Sequence, residues 1–510
     1  MLPSQSSLSL PLPARAVGRA SGSPVVEGNA VTLQFEGPEA FDLWIEAIGG
    51  AETFVHFENY ILRDDPVGRR FRDALVERAQ AGVAVRVLYD WMGCWATPRS
   101  FWKPFREAGV EVRAFNRPAL RDPFGILQRD HRKLVVVDGT VAFLGGFCIG
   151  EEWAGTETEP PWRDTGVEIR GPGAAVAGRT FERIWAETGP AVDPSCLVDP
   201  ATVAPAGDTP VWLIEGVPWR TRVYRVTQLM AAAARERIWI TDPYFVAPRA
   251  VRESLAEAAR DGVDVRILVP AHNNWPWVGS LSRSGYRFLL EAGVRIFEWE
   301  GPMIHAKTAV VDASWCRVGS SNLNSASLLG NWELDAGIHD ADLASQVQGL
   351  FLADLASAVA ILLPGAAAAL DQARARVAKG ESELIDDPSI TRRLRRWGRG
   401  APGAQTLTLA DLVRAGSSLG DAIAGSRVVG REDRTVLLTL TLALLFGSAL
   451  LLLFPRTLAW TLALVMGWLG VVLAVRGIVQ RAEAQRAARR SGQPGQAGQP
   501  GPPAQSEAPQ

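Results

Sequence analysis

The chain has 510 residues, with 53 Lys and Arg against 55 Asp and Glu, and a formal charge of -2. That length allows two or three domains with a large core, and the near-zero charge excludes a global basic field of the kind that holds nucleic acid. Four scattered cysteines, Cys94, Cys148, Cys196 and Cys316, form no CxxC pair and no Cys/His ligand spacing, so no zinc site, disulfide framework, metal or other cofactor is expected.

Residues 1–30 are expected to be a flexible tail, because Met1–Ser23 is rich in Ser, Pro and Ala and lacks the apolar run of a signal peptide. A helix begins within Phe41–Ile48, then come a strand at Phe54–Tyr60, a helix at Val67–Gln80 and a strand at Val83–Tyr89. A helix around Phe101–Ala108, a strand at Val110–Phe115 and a strand carrying His131 complete a first unit, 31–200. The second unit, 201–364, repeats the order: helix Val226–Ala234, strand Ile238–Phe245, helix Ala250–Arg260, strand Gly262–Val269. Short apolar strands alternating with amphipathic helices predict an α/β architecture.

The repetition extends to details. Gly82-Val-Ala-Val-Arg-Val is echoed 180 residues later by Gly262-Val-Asp-Val-Arg-Ile, and Glu107-Ala-Gly-Val by Glu291-Ala-Gly-Val. Landmarks in the same order indicate duplication of a domain-sized unit. The Pro- and Gly-bearing stretch 192–210 is the expected link between the halves.

Beyond Pro364 the character changes. A basic linker, 365–434, contains Arg392-Arg-Leu-Arg-Arg-Trp-Gly-Arg399 and suits an anionic membrane surface. Thr435–Phe454 and Thr457–Val475 carry no charge and are separated by Pro455-Arg456. At ~1.5 Å per residue each spans roughly 30 Å, so 435–475 is expected to be a transmembrane hairpin. Arginines flank it on both sides, which places both flanks, and the two α/β units, on the cytoplasmic face of the cell (inner) membrane. The Gly/Pro/Gln-rich remainder, 476–510, is expected to be disordered.

Two octapeptides stand out: His131-Arg-Lys133-Leu-Val-Val-Val-Asp138 and His305-Ala-Lys307-Thr-Ala-Val-Val-Asp312. Each runs on to a Gly-bearing turn, Gly145-Gly146 in one and Gly319-Ser320-Ser321-Asn322 in the other. Side chains two apart on a strand share a face, so His131 and Lys133 point into one cleft, as do His305 and Lys307. Two imidazoles and two ammonium groups suit a phosphodiester: the lysines neutralise phosphate oxygens, one histidine attacks phosphorus and the other protonates the leaving alcohol. Asp138 and Asp312 complete the pattern but point away by strand parity, and are expected to brace the turn after each strand. Asp164 is expected to orient His131, and Glu333 to orient His305, from 33 and 28 residues downstream in the same half. His56, His272 and His339 are read as structural.

These motifs, with Trp162-Arg-Asp164, resemble the phospholipase D superfamily, and within it the bacterial cardiolipin synthases, over about residues 40–360. The resemblance implies a fold of two pseudo-symmetric lobes, mixed sheets flanked by helices, and a phosphohistidine intermediate, with His131 as nucleophile and His305 as acid. It also implies phosphatidyl transfer between two phosphatidylglycerol molecules with release of glycerol, and phosphate contacts from Ser320 and Asn322. The implied partners are an anionic phospholipid and the membrane, not nucleic acid. Cys148 stands where such a motif usually carries asparagine, and a thiol is a poor replacement for an amide donor. The rival readings are a hydrolytic phospholipase D, a nuclease-like phosphodiesterase of the same superfamily, and a lipid-binding scaffold with a decayed site.

Overall fold

The structure, a computed structural model, describes residues 13–118, 128–363 and Trp468. The expected basic linker, hairpin and tail lie outside the described residues, Trp468 apart. Among the described residues no helix is long and apolar enough to cross a membrane. The chain divides into two units, 1–429 and 430–510, and both lobes of the fold belong to the first.

The first half contributes seven strands: β1 (Val26–Gln34), β2 (Phe54–Asn59), β3 (Ala84–Asp90), β4 (Glu111–Phe115), β5 (Lys133–Val137), β6 (Val141–Gly145) and β7 (Gly166–Arg170). The second contributes β8 (Thr209–Gly216), β9 (Arg237–Thr241), β10 (Asp264–Pro270), β11 (Arg295–Trp299), β12 (Thr308–Val311), β13 (Trp315–Gly319), β14 (Glu333–His339) and β15 (Ala358–Ile361). The halves are lobes of one continuous sheet ordered β15-β11-β10-β9-β12-β13-β14-β8-β1-β7-β6-β5-β2-β3-β4. The order reads alike outward from the β1–β8 seam, which is the mark of the duplication. In each lobe three parallel strands, β2-β3-β4 or β9-β10-β11, are joined to an antiparallel set. The mixed α/β fold expected from the sequence is therefore present, but its two sheets are fused.

The repeated glycines explain why the echo is visible. Gly82 and Gly262 have φ of 93° and 94°, Gly109 and Gly293 of 81° and 97°, and a Cβ at any of them would meet nothing within 4 Å. The constraint is conformational: each helix must turn through the left-handed region to enter the next strand.

The expected flexible tail 1–30 is corrected for its described part. Ala14–Ser21 is a helix, and Val17, on the face shared by Ala14 and Ser21, packs with Val223, Val226 and Met230 of the second lobe. The spacing i, i+3, i+7 puts these small residues on one side, a signal masked by the low overall hydrophobicity. Val26–Gln34 then forms the seam strand. Between the lobes lies a shared core in which Leu134, Leu144 and Ile169 join Val318, Leu334 and Ile338. The helices Pro172–Glu187 and Ala341–Leu355 add Phe181, Trp185, Val347 and Phe351 to it. That core fixes the lobes against each other and so fixes the site between them.

Candidate active site

Each histidine enters the site just before its strand, two residues ahead of β5 for His131 and three ahead of β12 for His305, pinned by the opposite lobe. The His131 N–H donates to the Trp332 carbonyl at 2.9 Å, and the Trp332 N–H to the Arg129 carbonyl at 2.8 Å. The mirror arrangement has the His305 N–H on the Arg163 carbonyl at 2.7 Å and the Arg163 N–H on the Met303 carbonyl at 2.8 Å. Because Glu333 follows Trp332 and Asp164 follows Arg163, each carboxylate is delivered to the histidine of the other lobe.

The orienting pairs expected from the sequence are therefore exchanged. His131 Nδ1 lies 3.0 Å from Glu333 Oε2 and 3.1 Å from Oε1. His305 Nδ1 lies 2.6 Å from Asp164 Oδ2. Proximity in sequence suggested pairing within a half, but the backbone bridges Asp130–Trp332 and Arg163–Ile304 run across the cleft. Each carboxylate holds its imidazole as the Nδ1–H tautomer and leaves Nε2 with its lone pair. Asp164 is itself held by Trp153 Nε1 at 2.9 Å and the Thr165 N–H at 2.8 Å. Glu333 accepts from Ser320 Oγ at 2.6 Å, from the Ser327 hydroxyl and from Asn331 Nδ2 at 3.4 Å.

Lys133 and Lys307 are buried with the histidines. Lys307 Nζ lies 2.9 Å from His305 Nε2, whereas Lys133 Nζ donates to the His131 carbonyl and sits 5.1 Å from the centre of the Tyr60 ring. Burial, opposed by Glu333 and reinforced by Lys133, pulls His131 down to about 4. Burial and then the Lys307 charge pull His305 down to about 3. Lys307 falls to about 8, mainly through burial, with Lys133 adding to it. Burial would raise Asp164, but the His305 ring that it binds and the Lys307 charge outweigh it and hold this carboxyl at about 2. A site with two cations, two buried carboxylates and neutral imidazoles is prepared for an anion.

Asp138 and Asp312 stand apart from this cluster. Both have φ of 51°. Asp138 accepts from the N–H groups of Glu52, Thr53 and Phe54 at 2.8–2.9 Å and from Thr53 Oγ1 at 2.6 Å. Asp312 accepts from the N–H groups of Arg235, Glu236 and Arg237. Each therefore caps the entry to the neighbouring strand, β2 or β9. This corrects their place in the catalytic set, and also the expectation that they brace the turn after their own strand.

Ser320 is at the site, but its hydroxyl is committed to Glu333 and also accepts from the Leu334 N–H at 3.0 Å. Asn322 is buried, its Oδ1 has no partner among the described residues, and its backbone N–H donates to Ser327 Oγ at 3.2 Å. Cys148 is buried close to both lysines; burial pushes its thiol up and the Lys133 charge works against that rise.

Three features are not foreshadowed by the motifs. Arg132, between the two motif residues, is fully buried and donates to Glu58 at 2.8 Å, to the Thr180 carbonyl and to Glu215 of the seam strand β8 at 3.4 Å. The Tyr60 and Tyr244 rings stand edge-on to His131 and His305 at 4.9 and 5.9 Å. Trp153 lies 5.4 Å from the His305 ring. The tyrosines follow equivalent strands, a repeat signal available in the sequence. His56, by contrast, is stacked on Phe181 at 4.5 Å, with burial lowering it to about 3, and serves the core. Among the described residues no group of His, Cys, Asp and Glu could hold a metal ion.

Comparison with known proteins agrees with this geometry. A family model described as cardiolipin synthase, PLD-like domain, matches residues 44–159 and 226–355. A cardiolipin synthase of Halalkalibacterium halodurans is 34% identical over 349 residues, covering 67% of this chain and 69% of that protein. Cardiolipin synthase A of Pseudomonas syringae pv. syringae is 35% identical over 345 residues, covering 67% and 71%. In fold, the chain is similar to a phosphatidylserine synthase of Haemophilus influenzae, with a TM-score of 0.57 and 17% identity over 72% of this chain and 97% of that one. The chain belongs to the cardiolipin synthase family of phospholipase D-like proteins.

Proposed function

We propose that this protein is a phosphatidyltransferase that joins two phosphatidylglycerol molecules into cardiolipin and releases glycerol. The observation that carries the reading is the pair of imidazoles, each held through Nδ1 by a carboxylate of the other lobe, with two buried lysines beside them. In the first step His131 Nε2 attacks phosphorus and the P–N bond forms. The bond from phosphorus to the glycerol oxygen breaks, and His305, which must take up a proton at Nε2 as the anionic substrate fills the cleft, gives that oxygen this proton. In the second, His305 takes the proton from a hydroxyl of another phosphatidylglycerol, whose oxygen attacks phosphorus and releases His131. Both imidazoles are held alike through Nδ1, and Lys307 Nζ lies 2.8 Å from Nδ1 and 2.9 Å from Nε2 of His305, so the assignment of His131 as nucleophile rests on the family resemblance. Lys133 and Lys307 would neutralise the phosphate oxygens, and the buried Asn322 would donate to one of them through its Nδ2 amide.

Transfer to a second phosphatidylglycerol requires that water be kept from the phosphohistidine, and the Tyr60, Trp153 and Tyr244 rings around the histidines suit that need. The uncharged stretches within 435–475, with arginines on both flanks, support anchoring in the cell (inner) membrane with the lobes cytoplasmic. The test is incubation of the purified full chain with phosphatidylglycerol. Cardiolipin with an equal amount of glycerol is expected. Phosphatidic acid and glycerol without cardiolipin would make the protein a hydrolase, and DNA cleavage without lipid turnover a nuclease.

A further inference from the structure

The turns after β8 and β3 each carry a tryptophan that points into solvent. Trp219 is 79% exposed and Trp95 66% exposed. Single exposed aromatics are ordinary; the placement of these two is not.

Trp219 sits at the tip of a tight turn, closed by the bridge Val217–Arg220, immediately after β8. The last residue of β8, Gly216, is paired with Glu333, the partner of His131. Trp219 also has φ of 65°, in the left-handed region that bulky L residues rarely enter. Its N–H donates to the Leu329 carbonyl at 2.8 Å, so the turn is fixed to the segment that supplies Ser327 to Glu333. Glycine would suit this backbone better, and glycine here would give up only the exposed ring.

Trp95 belongs to the turn that leaves β3. That turn is organised by Asp90, which accepts from Gly93 N–H at 3.0 Å and also from the N–H of Asp130, the residue before His131, at 2.9 Å. β3 is parallel to β2, and β2 is antiparallel to β5. The end of β3 therefore lies at the same sheet edge as His131. Arg99 and Arg220 are exposed on the same two turns. Two aromatic tips flanked by exposed guanidinium groups, both tied to the backbone around one histidine, form a rim. Indole rings with nearby arginines match the boundary between lipid headgroups and acyl chains.

We propose that the rim carrying Trp95 and Trp219 is a membrane-contact surface, which seats the mouth of the site on the headgroup layer of an anionic phospholipid bilayer. It rests on the lipid-substrate reading of the site and adds how a diacyl substrate reaches buried histidines: the rim enters the interface, so the headgroup passes into the cleft without the acyl chains crossing water.

Two measurements on the full chain test it. In the first, Trp219→Cys and Asp261→Cys carry an environment-sensitive fluorophore; Asp261 is exposed before β10, at the opposite ends of the strands. The native cysteines are all buried. In phosphatidylglycerol vesicles the label at 219 is expected to be shielded from iodide roughly tenfold better than the label at 261. Equal quenching at both positions would overturn the proposal whatever the enzyme's substrate. In the second, the Trp95→Ala/Trp219→Gly variant is compared on phosphatidylglycerol in vesicles and on a short-chain, monomeric form. Turnover in vesicles is expected to fall about tenfold while monomer turnover is unchanged. Equal loss on both, or no loss on either, would overturn it. If the wild type turns over neither form, the functional reading fails, and the quenching result still decides the rim.

Discussion

His131 Nδ1 lies 3.0 Å from Oε2 of Glu333, a carboxylate 202 residues further along the chain and in the other lobe. Neither lobe therefore holds a complete histidine–carboxylate pair; the duplication produced two half-sites that are finished only by each other. Removing the carboxylate's charge while keeping its shape should leave the ring misoriented rather than unfold the protein. Glu333→Gln is expected to lower kcat by roughly 100- to 10,000-fold with KM little changed, as for the orienting acid of a hydrolytic triad. Asp164→Asn should do the same through His305. If only one variant impairs formation of the phosphoenzyme, its partner histidine takes part in that step, and the expectation is Glu333→Gln. Steady-state kinetics and acid-quenched phosphoenzyme measurements check both points. Near-normal kcat in Glu333→Gln would contradict the crossed pairing.

Asp138 makes the opposite prediction. Its carboxylate holds three N–H groups and the Thr53 hydroxyl at the start of β2, away from the imidazoles. Asp138→Ala should destabilise the fold by about 2 kcal/mol, the worth of a well-engaged charged cap. The folded fraction should keep kcat within a few-fold. Thermal unfolding paired with turnover per folded molecule separates the two effects. A large loss of kcat at unchanged Tm would return the aspartate to the chemistry.

Cys148 occupies a position beside both lysines that invites a chemical role, yet it is buried and its thiol is pushed up by that burial. A thiol in that state is a poor nucleophile. Iodoacetamide at pH 8 is therefore expected to leave Cys148 unmodified in the native protein, as read by peptide mass spectrometry. Cys148→Ala should retain turnover within about tenfold. Rapid alkylation with loss of activity would show a reactive thiol in the site.

The parts of this arrangement that are legible in the sequence are those written locally. The His-x-Lys pairs and the left-handed glycines at 82, 109, 262 and 293 each depend on a few adjacent residues, whereas strand parity does not place the histidines, which lie ahead of β5 and β12. The pairing of His131 with Glu333 does not. It depends on the bridge from Asp130 to Trp332 across the cleft, and nothing near either residue encodes it. The same reason hides β1: its neighbours are β7 and β8, so its strand character comes from the seam rather than from a strong apolar alternation. Arg132 looks like a spacer because its partners, Glu58, Thr180 and Glu215, lie 74, 48 and 83 residues away.

The lowered histidines make the fold less stable towards acid pH. Folded His131 titrates at about 4 and His305 at about 3, against 6.5 for an unperturbed imidazole. Below pH 6.5 the unfolded chain takes up protons that the folded site refuses, so stability falls as the pH drops from 6.5 and the loss is complete below the folded values. Asp164, held at about 2 against 3.8, adds a loss in the same direction at lower pH. His305→Asn should therefore flatten the Tm profile between pH 6.5 and 4 relative to the wild type. After burial, the Lys307 charge is the largest force lowering His305, so Lys307→Gln is expected to move its titration upward. Histidine carbon-proton resonances, followed by NMR in the substrate-free protein, read this directly. A His305 titration unmoved by the substitution would show that burial alone keeps the ring neutral.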